Sequence, residues 1–198
     1  MNPHVSILLF RLAPLPPGVG LGEGFELLQL RCTQKVIKQL GLSPKDLVEC
    51  KTGDTPLGNW YINMLERRKT LIFMNERTLF SFIIYGIKKS NTANFPEVFY
   101  RGLGQALSFE GFDIDTINNV FASYQEYAFT KTNSKKLLGN MNELVALYKH
   151  CIYSDGGLEH CDLTKIMMQL NRMPQKNIDW GYSIDAVKSI IEQPIGMN

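Results

Sequence analysis

Between Trp60 and Tyr85 the chain carries three β-type runs, Trp60–Leu65, Thr70–Asn75 and Leu79–Tyr85, rich in Ile, Phe, Trp and Tyr. Only Glu66-Arg-Arg-Lys69 and Glu76-Arg-Thr78 connect them. Polar links this short cannot carry a crossover helix, so the runs predict an antiparallel meander ended by Gly86. A short strand over Leu27–Thr33 precedes them, and Val48 to Gly58 reads as loop.

Beyond the meander the remainder of the chain is helical in period. Val98, Phe99, Leu103, Ala106 and Leu107 form one stripe; Ile114, Ile117, Val120, Phe121 and Tyr124 form another, opened by Asp113 as a cap. Ser134 caps a third helix through Met141, Leu144 and Tyr148, Asp162 a fourth through Ile166 and Leu170, and Ser183 a fifth ending before Pro194. Thr33 and Gly41 bracket a further helix ahead of the meander. Strands grouped early and helices grouped late predict an α+β fold, a small antiparallel β-meander covered by a C-terminal set of helices. Residues 1–26 hold four of the nine prolines and four of the sixteen glycines and read as a flexible arm. Residues 27–198 then form a single domain.

The 44% of hydrophobic residues suffices for an ordinary core, and no run approaches the roughly 20 apolar residues of a spanning helix, so no membrane partner is expected. Cys32, Cys50, Cys151 and Cys161 are too few for a disulfide scaffold, and no signal peptide is recognisable; the chain reads as cytoplasmic with reduced thiols. Its net charge of +2 is small but unevenly spread. Residues 28–90 carry 11 Lys/Arg against 5 Asp/Glu, whereas residues 91–130 carry 1 against 5. One part of the chain suits anions and another suits cations.

No phosphate loop, dinucleotide fingerprint, nucleophile elbow or zinc spacing occurs, so neither a cofactor nor a metal is expected. The informative residues are polar ones embedded in or beside the apolar runs: Asn59, Asn63, Glu66, Arg67, Arg68, Asn75 and Glu76. Arg67 and Arg68, at a predicted hairpin turn, are candidates for gripping anionic oxygens. A second cluster, Lys131 to Glu143, leads into a helix whose start is basic although the dipole there favours acids, a conflict that a bound anion resolves.

These clusters carry a resemblance. Arg31-Cys-Thr-Gln-Lys35, Leu57-Gly-Asn-Trp-Tyr61 with Asn63, Arg67-Arg68-Lys69 through Phe73-x-Asn75-Glu76-x-Thr78-Leu79, and Lys131-Thr132 with Leu138-Gly-x-Met-Asn142 resemble an uncharacterised prokaryotic family of unknown function that occurs in bacteria and on mobile elements. The likeness covers about residues 27–148, with 149–198 as a helical extension. Ser134-Lys135-Lys136 stands where the family commonly has Asn-Arg-Ser. The resemblance implies one domain and no particular reaction.

Together these features predict a binding or interaction module engaging nucleic acid or another anionic partner, through Asn59, Asn63, Arg67, Arg68, Asn75, Lys131, Thr132 and Asn142. Trp60, Tyr61, Phe73 and Phe80 are interleaved with them and could stack on bases, but they read first as core residues, with Trp60 an aromatic anchor of the first meander strand. If they form a site, the polar residues should converge on one surface or cleft. One alternative is an enzyme acting on nucleotides or nucleic acid, with Glu66 or Glu76 as general base. Another is a protein-only inhibitor of a host defence complex, binding a basic host protein through the acidic 91–130 segment. The sequence sets no oligomeric state.

Overall fold

The computed structural model describes residues 27–52, 55–66, 70–124 and 126–192. The arm at 1–26 and both Arg67 and Arg68 lie outside the described residues. The chain runs β1 (Leu27–Cys32), α1 (Gln34–Leu40), β2 (Leu47–Val48), β3 (Trp60–Glu66), β4 (Thr70–Asn75), β5 (Ser81–Ile84), α2 (Phe95–Phe109), α3 (Ile114–Ala122), β6 (Glu126–Lys131), α4 (Lys135–Ser154), α5 (Leu163–Asn171), β7 (Pro174–Gln175), β8 (Gly181–Tyr182) and α6 (Ser183–Ile191). This is an α+β chain with a mixed sheet.

The three closely spaced runs pair antiparallel, β3 with β4 and β4 with β5. They are half of the sheet. Its order is β2-β6-β1-β3-β4-β5, and β1 pairs parallel with both β3 and β6. The expectation of a small meander is therefore corrected to a six-stranded mixed sheet. The strand that completes it, β6, lies in a stretch flanked on both sides by helical periods. Glu126-Tyr-Ala-Phe-Thr-Lys131 is too short to carry a helical stripe, and its pairing with β1 decides its state.

Alternation along the strands sends side chains into two cores. Leu28, Leu30, Cys32, Trp60, Ile62, Leu71, Phe73 and Phe82 pack against α1, α2, α3 and α6. Tyr61, Leu65, Ile72 and Met74 pack against α4 and α5. Helices thus cover both faces, and they come from the whole length of the chain, since α1 precedes the meander. Strands β3 and β4 read as continuous apolar runs because neither side meets water.

The first core is dominated by rings. Phe73 stacks on Phe82 at 4.7 Å, Trp60 meets Phe82 and Phe99 edge-on at 5.4 and 5.5 Å, and the Trp60 indole donates to the Tyr124 hydroxyl at 3.0 Å. Gly102 lets α2 approach β5, because a Cβ there would lie 2.6 Å from Ile84 Cδ1. On the other side the Asn171 amide pairs with the backbone of Ser81, which occupies polar groups of the edge strand β5.

Three of the helix starts follow their local signals. Asp113, Ser134 and Asp162 each accept from the backbone N–H three residues on, and Gly41 closes α1 at φ 70°. Among the described residues no helix is long and apolar enough to cross a membrane.

A polar crevice at the carboxyl ends of two parallel strands

Strands β1 and β6 run side by side, yet the helices that come after them lie on opposite faces: α1 packs into the first core and α4 into the second. In open α/β sheets such a switch marks the crevice beyond the carboxyl ends of the strands where ligands bind. Here those ends are Cys32–Thr33 and Lys131–Ser134.

On the face shared with α4, this half of the sheet is polar. Gln29 and Arg31 alternate with buried Leu28, Leu30 and Cys32 along β1, and Thr130 is the in-register neighbour of Arg31 on β6. The Arg31 guanidinium is almost fully enclosed. Its Nη1 donates to Asn133 Oδ1 at 2.6 Å and lies 3.3 Å from Glu76 Oε2, while Nη2 donates to the Lys51 carbonyl at 2.8 Å. Beside it the Tyr61 hydroxyl donates to the same Asn133 oxygen at 2.7 Å. Arg31 therefore links β1 to the turn after β4 and to the loop that enters α4.

The segment after β2 straps this face. Gln29 exchanges hydrogen bonds with the backbone of Lys51, its amide donating to the carbonyl and its oxygen accepting from the N–H, and the Cys50 thiol donates to the Lys131 carbonyl at 2.9 Å. Glu76 is fixed from both sides, because its second oxygen accepts from the Asn59 N–H at 2.9 Å. Gly58 makes this approach possible: at φ 70°, a Cβ would sit 3.0 Å from Glu76 Oε1.

The sequence-predicted residues divide accordingly. Asn59, Asn75 and Glu76 gather: Asn59 Oδ1 accepts from the Gln29 N–H, and the Asn75 amide donates to the Leu57 carbonyl. Asn75 Oδ1 also collects Arg77 N–H, Thr78 N–H and the Thr78 hydroxyl, shaping the turn in which Leu79 stands at φ 59°. Asn63 lies further along β3, accepting from the Thr33 hydroxyl at the mouth of the crevice. Lys131 is exposed and Thr132 half-buried on the loop into α4, whereas Asn142 is exposed on α4 and does not join the Arg31 network. Glu66 ends β3, its backbone paired with Thr70.

Trp60, Tyr61, Phe73 and Phe80 are wholly buried, in keeping with their reading as core residues, so they cannot stack on bases. Both Glu76 oxygens have partners, one the Asn59 N–H and the other the Arg31 guanidinium. Within the acidic segment 91–130, Glu110 is buried against Arg172 and Asp113 is spent as a cap. The Cys32 thiol is pushed up by burial and has no thiolate character at neutral pH. Among the described residues no group of three His, Cys, Asp or Glu could hold a metal ion.

Sequence reasoning missed Arg31, Gln29, Tyr61 and Asn133 as one site. The available signal was the period-2 spacing of Gln29 and Arg31 inside an otherwise apolar strand.

Among the described residues three buried atoms of this region have no hydrogen-bond partner: Arg31 Nε, Thr130 Oγ1 and Asn59 Nδ2. Just outside, α4 opens with Lys135 and Lys136 and has no acid in its first turn. The fold and this crevice define an α+β domain with helices on both sides of a mixed sheet and a cation-rimmed polar switch point. More particularly, a family match covers residues 29–186, and the chain belongs to that family, a domain of unknown function (DUF6933). The match continues past residue 148 to take in α5 and the start of α6. No curated protein and no solved structure shows significant similarity to the chain.

Proposed function

We propose that the chain is a binding module for an anionic partner, whose phosphate or carboxylate oxygens sit at the carboxyl ends of β1 and β6. The observation that carries this reading is the start of α4. Exposed Lys131, Lys135 and Lys136 precede or open a helix with no acid in its first turn, the opposite of what the helix dipole favours unless an anion is present. Arg31 stands buried behind the same loop with one N–H unspent. Exposed lysines provide attraction, while the Leu137 N–H already taken by Ser134 fixes the orientation of the first turn.

Calorimetric titration with tripolyphosphate at low and moderate salt tests the reading. Binding that weakens with salt, and weakens again in the Lys135→Gln/Lys136→Gln double variant, is expected. A wild-type protein that binds no polyanion at low salt, or a double variant that binds as well as wild type, contradicts it.

A further inference from the structure

The buried aromatics cannot stack on a ligand, but an exposed pair stands beside the same helix. Strands β7 and β8 form a two-stranded ribbon carrying Trp180 and Tyr182, which are 66% and 43% exposed. Tryptophan is costly to leave in water, and here its placement is also held. Asp179 and Trp180 adopt φ of 54° and 61°, a region that bulky residues rarely enter. The Trp180 N–H closes the turn onto the Gln175 carbonyl at 3.0 Å, and Gly181 comes next, where a Cβ would lie 3.0 Å from the Ile178 carbonyl. Strain of this kind persists only where the surroundings fix it, so the ring is presented in a set position.

The ribbon is tied to α4. Asn177 Nδ2 donates to Asn140 Oδ1, and Met173 and Ile178 pack against the second core. Asn140 lies four residues after Lys136, hence one turn along the same helix face, about 6 Å further from the N-terminus. Lys176 is exposed on the short turn that joins the two strands of the ribbon. The turn that carries the exposed ring therefore meets α4 one helical turn beyond Lys136.

We propose that Trp180 is a stacking platform for the bases of a single-stranded nucleic acid whose phosphates are held at the start of α4. The inference rests on the anion-binding reading and names the class of partner. An aromatic face beside lysines is the pairing that single strands need, since every base has a π-face and every phosphate a charge. A protein partner would call for a contiguous apolar patch. The turn of the ribbon instead carries Lys176, Asn177 and Asp179 beside Trp180 in the chain, with Tyr182 as its second exposed ring. Duplexes keep their bases stacked inside and offer the ring little.

The full chain reports on itself, because its only other tryptophan, Trp60, is buried. Titration with oligo(dT) and oligo(U) of about 12 nucleotides should quench Trp180 fluorescence. Trp180→Ala should weaken oligonucleotide binding about tenfold, the size of one lost base stack. Trp180→Phe should restore most of it, and both variants should bind tripolyphosphate as wild type does. If tripolyphosphate binds but Trp180→Ala leaves oligonucleotide affinity unchanged, or a duplex binds as tightly as the single strand, the stacking role is overturned and the anion site stands. If neither tripolyphosphate nor oligonucleotide binds wild-type protein, the anion-binding reading fails and takes this inference with it.

Discussion

The two faces of β1 differ sharply in what they bury. Leu28, Leu30 and Cys32 enter a core of interlocking rings, whereas Gln29 and Arg31, one residue away on the same strand, enter a network of amides, a carboxylate and a phenol. The first face is stabilised by area removed from water and tolerates many hydrophobic arrangements. The second requires particular partners, since a buried guanidinium is favourable only while its hydrogen bonds and its carboxylate are in place. The ring face thus answers to volume and the polar face to identity. Stability explains the first completely; the second keeps three unspent polar atoms beside a cationic rim, which stability alone does not call for.

Substitutions can break this contrast. The largest loss is expected on the ring face: Trp60→Ala removes three ring and hydroxyl contacts and should cost about 3 to 5 kcal/mol in denaturant unfolding. On the polar face Arg31→Met should cost about 3 kcal/mol by stranding Glu76, yet the double replacement Arg31→Met/Glu76→Leu should recover much of that loss. A double variant as unstable as the sum of its singles would show that the pair is not coupled, and the two faces would then differ less than argued. Asn75→Ala, which leaves the turn N–H groups of Arg77 and Thr78 without an acceptor, should cost about 1 to 3 kcal/mol.

The smallest effect sharpens the contrast through pH. Hydrogen bonds from Thr116 hold the exposed Asp113 carboxyl below its ordinary range. A depressed pKa means that the cap's stabilisation is present at neutral pH and fades as pH falls through the lowered value. Thermal midpoints of wild type and Asp113→Ala should therefore differ at pH 7 and converge in acid; a gap that persists unchanged at low pH would assign the cap's effect to something other than the carboxylate.

Local signals are legible in the sequence, and pairings between distant segments are not. Asp113, Ser134 and Asp162 act within one helical turn, so residue type and spacing suffice to place α3, α4 and α5. The three strands of the meander are equally plain, because each pairs with its sequence neighbour. Strand β6 is not, for its partner β1 lies about a hundred residues earlier, and six residues carry too little pattern to override the helical stripes on either side. The same distance hides half of the crevice. Asn59, Asn75 and Glu76 stand out as polar residues at the ends of apolar runs, but Arg31 and Tyr61 gain their meaning from Asn133, which sequence places far from both. Lys131 stands out by its charge and lies exposed at the end of β6, whereas Asn142 stands exposed on α4 away from the network. Trp60 is legible as an anchor, since a large aromatic opening an apolar run belongs to the core, and its neighbours in space are Phe82, Phe99 and Tyr124.

The central claim is that an anion occupies the crevice between the ends of β1 and β6, and a nitrogen–proton correlation spectrum recorded during titration with tripolyphosphate tests it at atomic resolution. Arg31 Nε–H gives its own side-chain resonance, separate from the backbone amides. The account predicts that this resonance and the amides of Lys131 to Leu137 move together and saturate at one ligand concentration, while amides along α2 and α3 stay still. Shifts confined to scattered surface lysines, or an Arg31 signal that remains fixed while the ligand binds elsewhere, would contradict it.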